Sequence, residues 1–327
     1  WHLDQALHHA VSGRPGPVWL DIPIDVQSAT IDPVKLRRWT ALQESPTFLP
    51  DDVADLVRRL SEARRPVILA GSGIRAAKAV AEFETLVNRL GIPVATAWTH
   101  DLIDSDSPLF CGRPGTIGTR AGNFTVQNAD LLLILGSRLN IRQVSYNWQA
   151  FAPRALKIQV DVDPAELAKP TVKPDIAIVA ELKPFLGALI DRLSGWERPA
   201  AHVDWLAWCR KRMVLYPNVL PRQRELDGRI NPYHFVEQLF KHLDGDDVIA
   251  CGNATATIVP FQVGHIKAGM RMFSNSGSAS MGYDLPAAIG AYFGAIAGRG
   301  KQERVICLAG DGSIMMNLQE LQTIAGL

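Results

Sequence analysis

The sequence VICLAGDGS at residues 305–313 contains an apolar run that ends in Gly310, Asp311, Gly312 and Ser313. Glycine lets the backbone approach a ligand closely, and the amides that follow can hold a phosphate. A carboxylate at a strand end, here that of Asp311, can bind a hard divalent cation that also bridges phosphate oxygens. The pattern predicts a phosphate and metal site, and the alternative is an ordinary strand–turn–helix in which Asp311 caps the helix.

A second glycine turn, GSGIRA at residues 71–76, follows an apolar run and opens a helical pattern. It matches the loose G-x-G-x-x-A nucleotide turn. No acidic residue follows at the distance expected for a ribose ligand, which disfavours a nicotinamide-dependent dehydrogenase. The motif alone does not identify the ligand.

The composition indicates a folded protein without the charge of a nucleic-acid binder. The 327 residues include 34 Lys and Arg against 33 Asp and Glu, and 47% are hydrophobic. This balance lacks a basic excess, and the apolar fraction argues against disorder. No apolar run approaches the ~18 residues of a membrane helix, and LLLILG at 131–136 is far too short. The four cysteines are scattered, which favours reduced thiols in a cytosolic protein over disulfides or a zinc site.

Short apolar strands alternate with helical patterns over residues 49–193, which predicts a doubly wound parallel sheet of Rossmann type in an α/β protein. The predicted strands lie at 66–71, 92–97, 131–137 and 155–163. The predicted helices lie at 51–60, 75–90, 121–129 and 181–193. The last helix is followed by a connector at 194–230.

Two further units flank this domain. Residues 1–26 are predicted to form a helix and a short strand at 18–23, as at the end of a parallel α/β domain, and 27–48 form a Pro-punctuated linker. Residues 231–327 form another α/β unit. Its predicted strands lie at 247–252 and 304–312, and its helices at 233–243, 256–264, 285–297 and 317–325.

Three segments in order resemble thiamine-diphosphate enzymes, most nearly the acetolactate (acetohydroxyacid) synthase large-subunit group. They are SGRPGPVWLDIPIDV at 12–26, GSASMGYDLPAAIGA at 277–291 and GDGS at 310–313. The resemblance implies the end of a pyrimidine-binding domain, a central FAD-binding-like domain and the first part of a diphosphate-binding domain. It also implies that the activating Glu and a second Mg²⁺ ligand lie outside this chain, which would make the chain a fragment.

The resemblance assigns thiamine diphosphate and Mg²⁺ to the third unit. Asp311 would ligate Mg²⁺, Met281 would be the catalytic wedge that bends the cofactor, and the Ala279 carbonyl would hold its 4′-amino group. The residues implied to bind thiamine diphosphate are Gly252, Asn253, Thr255, Ala279, Met281, Gly310, Asp311, Gly312 and Ser313. The sequence CGNAT at 251–255 departs from the Gln-His-Gln of the synthases. Asn317 is too close to Asp311 to be the second metal ligand, and we expect it to help begin a helix.

The resemblance also implies an FAD with a structural role in the central domain. The implied residues are Arg14, Gly71, Gly73, Gly115, Thr116, Arg142, Asp161 and Asp163. The sequence differs from the family pattern at two places in this FAD site. Arg113-Pro114 replaces Met-His, and Asn140-Ile141 replaces a pair of acidic residues. An empty nucleotide fold is therefore the alternative.

The implied activity is decarboxylation of a 2-oxo acid, with pyruvate as the expected substrate, and carboligation to a second oxo compound. The resemblance implies a homodimer or homotetramer of branched-chain amino acid biosynthesis. The cysteines, the charge balance and the short apolar runs predict a cytoplasmic protein without nucleic-acid or membrane partners. The alternatives are another thiamine-diphosphate decarboxylase, lyase, carboligase or C–C hydrolase, and a non-catalytic nucleotide-binding relative.

Overall fold

The computed structural model describes residues 1–40, 48–99, 101–225, 228–299 and 304–326. Part of the predicted linker, at 41–47, and the loop residue His100 lie outside these ranges. The strands are β1 (Pro66–Ala70), β2 (Val94–Thr96), β3 (Leu131–Leu135), β4 (Leu156–Asp161), β5 (Ile176–Val179), β6 (Val248–Cys251), β7 (Arg271–Ser274) and β8 (Val305–Leu308).

The longer helices supply the layers around these strands. They are α1 (His2–Val11), α3 (Pro50–Glu62), α5 (Val80–Leu90), α6 (Arg120–Gln127), α9 (Leu182–Arg192), α10 (Ala200–Leu215), α11 (Pro232–Lys241), α12 (Thr255–Val263), α13 (Asp284–Arg299) and α15 (Glu320–Ala325). Shorter turns of helix are α2 (Ile24–Gln27), α4 (Gly73–Ala76), α7 (Ile141–Val144), α8 (Pro164–Ala168) and α14 (Asp311–Ile314). No helix in the described ranges combines the length and apolarity needed to cross a membrane.

The central unit is a five-stranded parallel sheet in the order β2-β1-β3-β4-β5. Strands β1 and β3 are buried along their whole length because helices cover both faces. Alternate side chains of β1 enter two cores: Ile68 packs with residues of α3, α5 and α9, and Leu69 packs with residues of α6 and α10. The predicted doubly wound α/β fold is confirmed.

The third unit is a parallel sheet in the order β7-β6-β8. Its core joins Phe240 of α11, Ile249 of β6, Val259 of α12 and Met272 of β7. In both sheets consecutive crossovers go to opposite sides of a central strand. Such a reversal leaves a crevice at the carboxyl ends of the strands, where ligands of open α/β sheets bind.

Several elements differ from the sequence predictions. The strand predicted at 18–23 is extended coil with Trp19 90% exposed, because no strand in the described residues pairs with it and a strand needs partners for its N–H and C=O groups. The helix predicted at 75–90 is two helices, α4 and α5, separated where Lys78 has a φ of 54°. The short strands β5 and β7 were not predicted from the sequence.

The central and third units contact each other through a buried arginine. Arg113 is 3% exposed, and its Nη1 donates to the carbonyl oxygens of Phe261 and Gly264, both at 3.1 Å. Burial lowers the pKa of Arg113 to about 10. Beside it, the Trp98 ring stacks on Phe261 with centroids 4.2 Å apart. The residue that departs from the family pattern therefore joins the two units.

Candidate functional site

A cavity of about 690 Å³ opens at the carboxyl ends of β6 and β8 in the third unit. The loops that follow the two strands form its polar side, and Phe235, Val259 and Met281 contribute apolar surface. The cavity lies at the crevice created by the strand order β7-β6-β8. Of the residues assigned to thiamine diphosphate, those that line it are Asn253, Thr255, Met281, Gly310, Asp311, Gly312 and Ser313.

The GDGS turn brings an acidic group to this cavity. Gly310 precedes α14, and the carboxylate of the exposed Asp311 accepts a hydrogen bond from the amide of Gly312 at 2.8 Å. The Ser313 amide donates to the carbonyl oxygen of Gly310 at 3.0 Å. An exposed carboxylate next to backbone amides is a donor set that fits a divalent cation bound to a phosphate.

Gly252 allows the loop after β6 to approach β8 closely. Its amide donates to the carbonyl oxygen of Leu308 at 2.8 Å. A Cβ at this position would lie 2.4 Å from Oδ2 of Asp284 and 3.2 Å from the same Leu308 oxygen. Only glycine fits here, and its role is to bring the two loops together.

Asn253 and Ala279, which the sequence analysis singled out separately, are in contact. The Asn253 side-chain amide donates to the carbonyl oxygen of Ala279 at 3.2 Å. The neighbouring Ala254 and Ala279 itself have φ values of 47° and 54°. Such left-handed backbone is strained for alanine and is typical of functional sites, where the surrounding structure holds it in place.

Met281 lies at the wall of the cavity with half of its side chain exposed. Its Cε would be 3.3 Å from a Cβ added to Gly312. The thioether therefore lies directly beside the GDGS turn, with an open side toward the cavity. This placement fits an apolar support for a ring-shaped ligand.

Two residues of this site were not recognised from the sequence. Asp284 is buried and accepts a 2.5 Å hydrogen bond from the hydroxyl of Ser313. Asn317 does not begin a helix as expected, since α15 starts at Glu320; its side-chain amide donates to the carbonyl oxygen of Gly282 at 2.5 Å. The only signal for Asp284 in the sequence is an acidic residue inside the apolar segment MGYDLP.

A larger cavity, of about 1310 Å³, lies in the central unit between residues 8–17 and the carboxyl ends of its strands. Arg14, Gly73, Asp161 and Asp163 of the predicted FAD set line it. Burial raises the pKa of Asp161, whose carboxylate accepts the Asp163 amide at 3.0 Å. The Arg14 guanidinium pairs with Asp163 at 3.2 Å and with Glu166 at 3.0 Å.

The glycines of GSGIRA bring the ends of β1 and β3 together. A Cβ on Gly71 would lie 2.2 Å from the carbonyl oxygen of Gly136, which also accepts the Gly73 amide at 3.0 Å. Gly73 faces the central cavity, whereas Gly71 is not among the residues that line it.

The remaining residues of the predicted FAD set lie elsewhere in the central unit. The amide and hydroxyl of Thr116 both donate to the carbonyl oxygen of Arg142, at 2.8 and 3.1 Å. A Cβ on Gly115 would lie 2.8 Å from the same oxygen. Gly115, Thr116 and Arg142 thus join a loop to α7 and do not line the large cavity.

Two models of known protein families match segments of this chain. "Thiamine pyrophosphate enzyme, central domain" covers residues 53–189, and "Thiamine pyrophosphate enzyme, C-terminal TPP binding domain" covers residues 252–327. Thiamine pyrophosphate (TPP) is another name for thiamine diphosphate. The first match covers the five-stranded sheet of the central unit, and the second contains the GDGS turn of the third unit.

Similar curated proteins are large subunits of acetolactate synthase. Isozymes 1 and 2 of Escherichia coli (strain K12) are 30% and 32% identical over 98% of this chain, and a probable large subunit from Methanocaldococcus jannaschii is 33% identical over 98%. The chain spans about half the length of these relatives, at 54%, 56% and 54%. With both domains in this order, the chain belongs to the thiamine pyrophosphate enzyme family.

Proposed function

We propose that this chain is part of a thiamine-diphosphate- and Mg²⁺-dependent enzyme that decarboxylates a 2-oxo acid and joins the product to a second oxo compound. Pyruvate is the first candidate substrate, as the acetolactate synthase names of its relatives suggest. The observation that carries the proposal is the third-unit cavity, where Asp311, Met281 and the Asn253–Ala279 contact meet at two strand ends.

Within this cavity Asp311 would ligate Mg²⁺. The amides of Gly312 and Ser313, which here donate to Asp311 and to the Gly310 carbonyl oxygen, would turn to the diphosphate when it binds. Gly252 and Gly310 would let the backbone lie close to the cofactor. The exposed Thr255 would supply a hydroxyl donor on the diphosphate side of the cavity. When bound, thiamine diphosphate supplies a nucleophilic thiazolium carbon, with which bonds beside a carbonyl group are broken and formed. Met281 would support the cofactor from its apolar side, in keeping with its half-exposed position.

The Ala279 carbonyl would accept a hydrogen bond from the amino group of the cofactor. Asn253 already donates to this oxygen at 3.2 Å. Because a carbonyl oxygen has two lone pairs, it can accept both groups without losing the first contact. Asn253 would then hold the carbonyl in its orientation, together with the left-handed backbone of Ala279.

For this chain we propose the domain boundaries 1–26, 27–48 as linker, 49–193, 194–230 as connector and 231–327. For the protein to which it belongs we propose a homodimer or homotetramer.

The central cavity would hold the nucleotide part of an FAD. Its support is the buried carboxylate of Asp161, which lines a cavity of about 1310 Å³ at the strand ends. A flavin absorption spectrum of the purified protein would be the direct sign of this occupancy.

The test compares the full-length protein with its Asp311→Asn variant in the presence of pyruvate, thiamine diphosphate and Mg²⁺. The variant removes a charged oxygen ligand, so Mg²⁺-dependent cofactor binding should fall more than about tenfold, a loss seen even for residues that only support a ligand. The control is Asp204→Asn on α10, an exposed carboxylate far from the cavity in sequence.

Carbon dioxide and acetolactate are measured separately in the same assay. Formation of both supports the proposal. Carbon dioxide without acetolactate would assign the decarboxylase alternative, and no cofactor binding by the unaltered protein would favour the non-catalytic relative.

A further inference from the structure

The turn that carries Met281 is held by two side chains from the segment after β8. Gly282, the next residue, has a φ of 80°. Its amide donates to Oγ of Ser313 at 2.8 Å, and its carbonyl oxygen accepts from Nδ2 of Asn317 at 2.5 Å. The backbone N–H and C=O of Gly282 are therefore both hydrogen-bonded to side chains of one short segment.

The Ser313 hydroxyl has a fixed direction. It is 2% exposed, and it donates to the buried carboxylate of Asp284 at 2.5 Å while it accepts the Gly282 amide. The hydroxyl hydrogen is thus committed to Asp284, and the oxygen lone pairs face Gly282. The same Asp284 oxygen borders Gly252, so the contacts continue to the loop after β6.

The packing around Gly282 leaves no room for movement toward this segment. A Cβ at Gly282 would lie 2.8 Å from Nδ2 of Asn317 and 3.1 Å from Cβ of Met316. Met281 itself comes within 3.3 Å of a Cβ position on Gly312. The Met281 turn and the GDGS turn therefore pack as one unit.

We propose that Ser313 and Asn317 are positioning residues that hold the Met281 turn against the GDGS turn through their side chains. They would keep the Met281 side chain at a fixed place relative to Asp311, beside the GDGS turn. The inference rests on the proposed function, since it is a cofactor held by both residues that requires the fixed spacing. Neither side chain reacts.

The required chemistry differs at the two positions. At 317 the side chain must donate to a carbonyl oxygen, which asparagine does and aspartate cannot do when ionised. At 313 one atom must donate to Asp284 and accept from Gly282, which serine and threonine hydroxyls can do. Asn317→Asp and Ser313→Ala therefore remove the contacts with little change in volume, and Ser313→Thr retains the hydroxyl.

The first measurement is hydrogen–deuterium exchange of the full-length protein without cofactor. We expect faster exchange in a peptide that spans 281–283 for Ser313→Ala, because the Gly282 amide loses its acceptor, and for Asn317→Asp, because the turn is released. The control is Thr323→Ala, which removes an exposed hydroxyl that donates to Glu320 on the same helix.

The second measurement separates cofactor binding from turnover. Calorimetric titration with thiamine diphosphate and Mg²⁺ gives the Kd, and steady-state kinetics give kcat. We expect a nearly unchanged Kd and a kcat lowered about 100-fold, since misplacement by about 1 Å has effects of this size. Ser313→Thr should recover most of the loss, which a general folding defect would not allow.

We call the two hydrogen bonds that link Gly282 to the side chains of Ser313 and Asn317 the clamp. Unchanged exchange at 281–283 in both variants would overturn the clamp. Faster exchange with unchanged kcat would overturn its positioning role. If the unaltered protein binds no thiamine diphosphate, the proposed function fails and the role of the clamp in catalysis fails with it, while the exchange data still report whether the clamp exists.

Discussion

Two alanines show where single residues in this molecule hold an unfavourable conformation. Ala254 has φ 47° and ψ −129°, a combination that glycine adopts more readily than alanine, and Ala279 has φ 54°. Asn253, the residue before Ala254, donates a hydrogen bond to the carbonyl oxygen of Ala279. The strain therefore sits on the two backbone positions that orient the polar groups of the cavity.

We expect Ala254→Gly to stabilise the protein. Release of the strained conformation should raise the free energy of unfolding by about 1 kcal/mol, after the greater entropy of glycine in the unfolded chain is included. Urea unfolding followed by circular dichroism measures it. The matched control is Ala256→Gly in the first turn of α12, which should lower the same quantity by less than the cost of about 1 kcal/mol at a helix interior position. A decrease in both variants would show that Ala254 is not strained.

At the scale of elements, the amino ends of the third-unit strands are joined by one carboxylate. Asp247 directly precedes β6 and accepts from Nε and Nη2 of Arg304, which directly precedes β8, at 2.7 and 2.5 Å. It also accepts the Asp244 amide at 2.6 Å. Burial by itself raises the pKa of Asp247, but the hydrogen bonds from Arg304 and Asp244 outweigh it and hold that pKa below its usual value.

We expect Asp247→Asn to lower the free energy of unfolding by about 2 kcal/mol near neutral pH, as for hydrogen bonds to a charged group. The lowered pKa means that the stabilisation is complete above the unfolded-state value of 3.8 and is lost as the pH falls through the lower folded-state value. The two proteins should therefore converge in stability below that pH. Asp244→Asn, whose side chain is 84% exposed, is the control, and a constant difference at all pH values would contradict the explanation.

The alternation of strands and helices in the central sheet could be predicted because its apolar runs are buried on both faces, as in β1 and β3. Strands β5 and β7 escaped prediction because they are short and partly exposed, with burial that does not alternate cleanly. The break between α4 and α5 also escaped, since nothing in the type of Lys78 indicates a positive φ. The conformation of such short elements depends on the residues that they contact in the fold more than on their own sequence.

In the candidate site, too, some residues could be predicted from the sequence and others could not. Asp311 could be recognised from its local motif and Met281 from the family resemblance, and the structure places both at one cavity. The contacts of Asp284 and Asn317 could not be predicted, because each reaches a residue about 30 positions away: Ser313 for Asp284 and Gly282 for Asn317. Side-chain partners at this separation depend on the packing of α13 against β8.

At the scale of the whole molecule, Arg113 links the two sheets. Its guanidinium satisfies two carbonyl oxygens at the end of α12, while Gln262 of that helix donates to the carbonyl oxygen of Ile117 at 2.7 Å. The amino end of α12 carries the loop with Asn253. The carboxyl end of α12 therefore forms the interface, while its amino end and middle line the candidate cofactor cavity.

We expect Arg113→Met to weaken the contact between the units. The carbonyl oxygens of Phe261 and Gly264 would lose a charged donor, and leaving buried acceptors unsatisfied costs about 1–3 kcal/mol each. Differential scanning calorimetry should show the third unit unfolding at a lower Tm, separated from the central unit. Arg154→Met, at an exposed arginine, should leave the profile unchanged, and an unaltered profile for Arg113→Met would remove the interface role.

The stacked aromatic pair at this interface also makes tryptophan fluorescence a signal of the contact between the two units. Trp98 belongs to the central unit and Phe261 to α12, and their rings lie nearly parallel, with 9° between the planes. A tryptophan in such a contact changes its emission when water reaches the ring, so separation of the units would shift its spectrum. The difference between the emission of the protein and that of a Trp98→Phe variant would isolate this signal from the other tryptophans, and the chain thereby carries its own unlabelled reporter of domain docking.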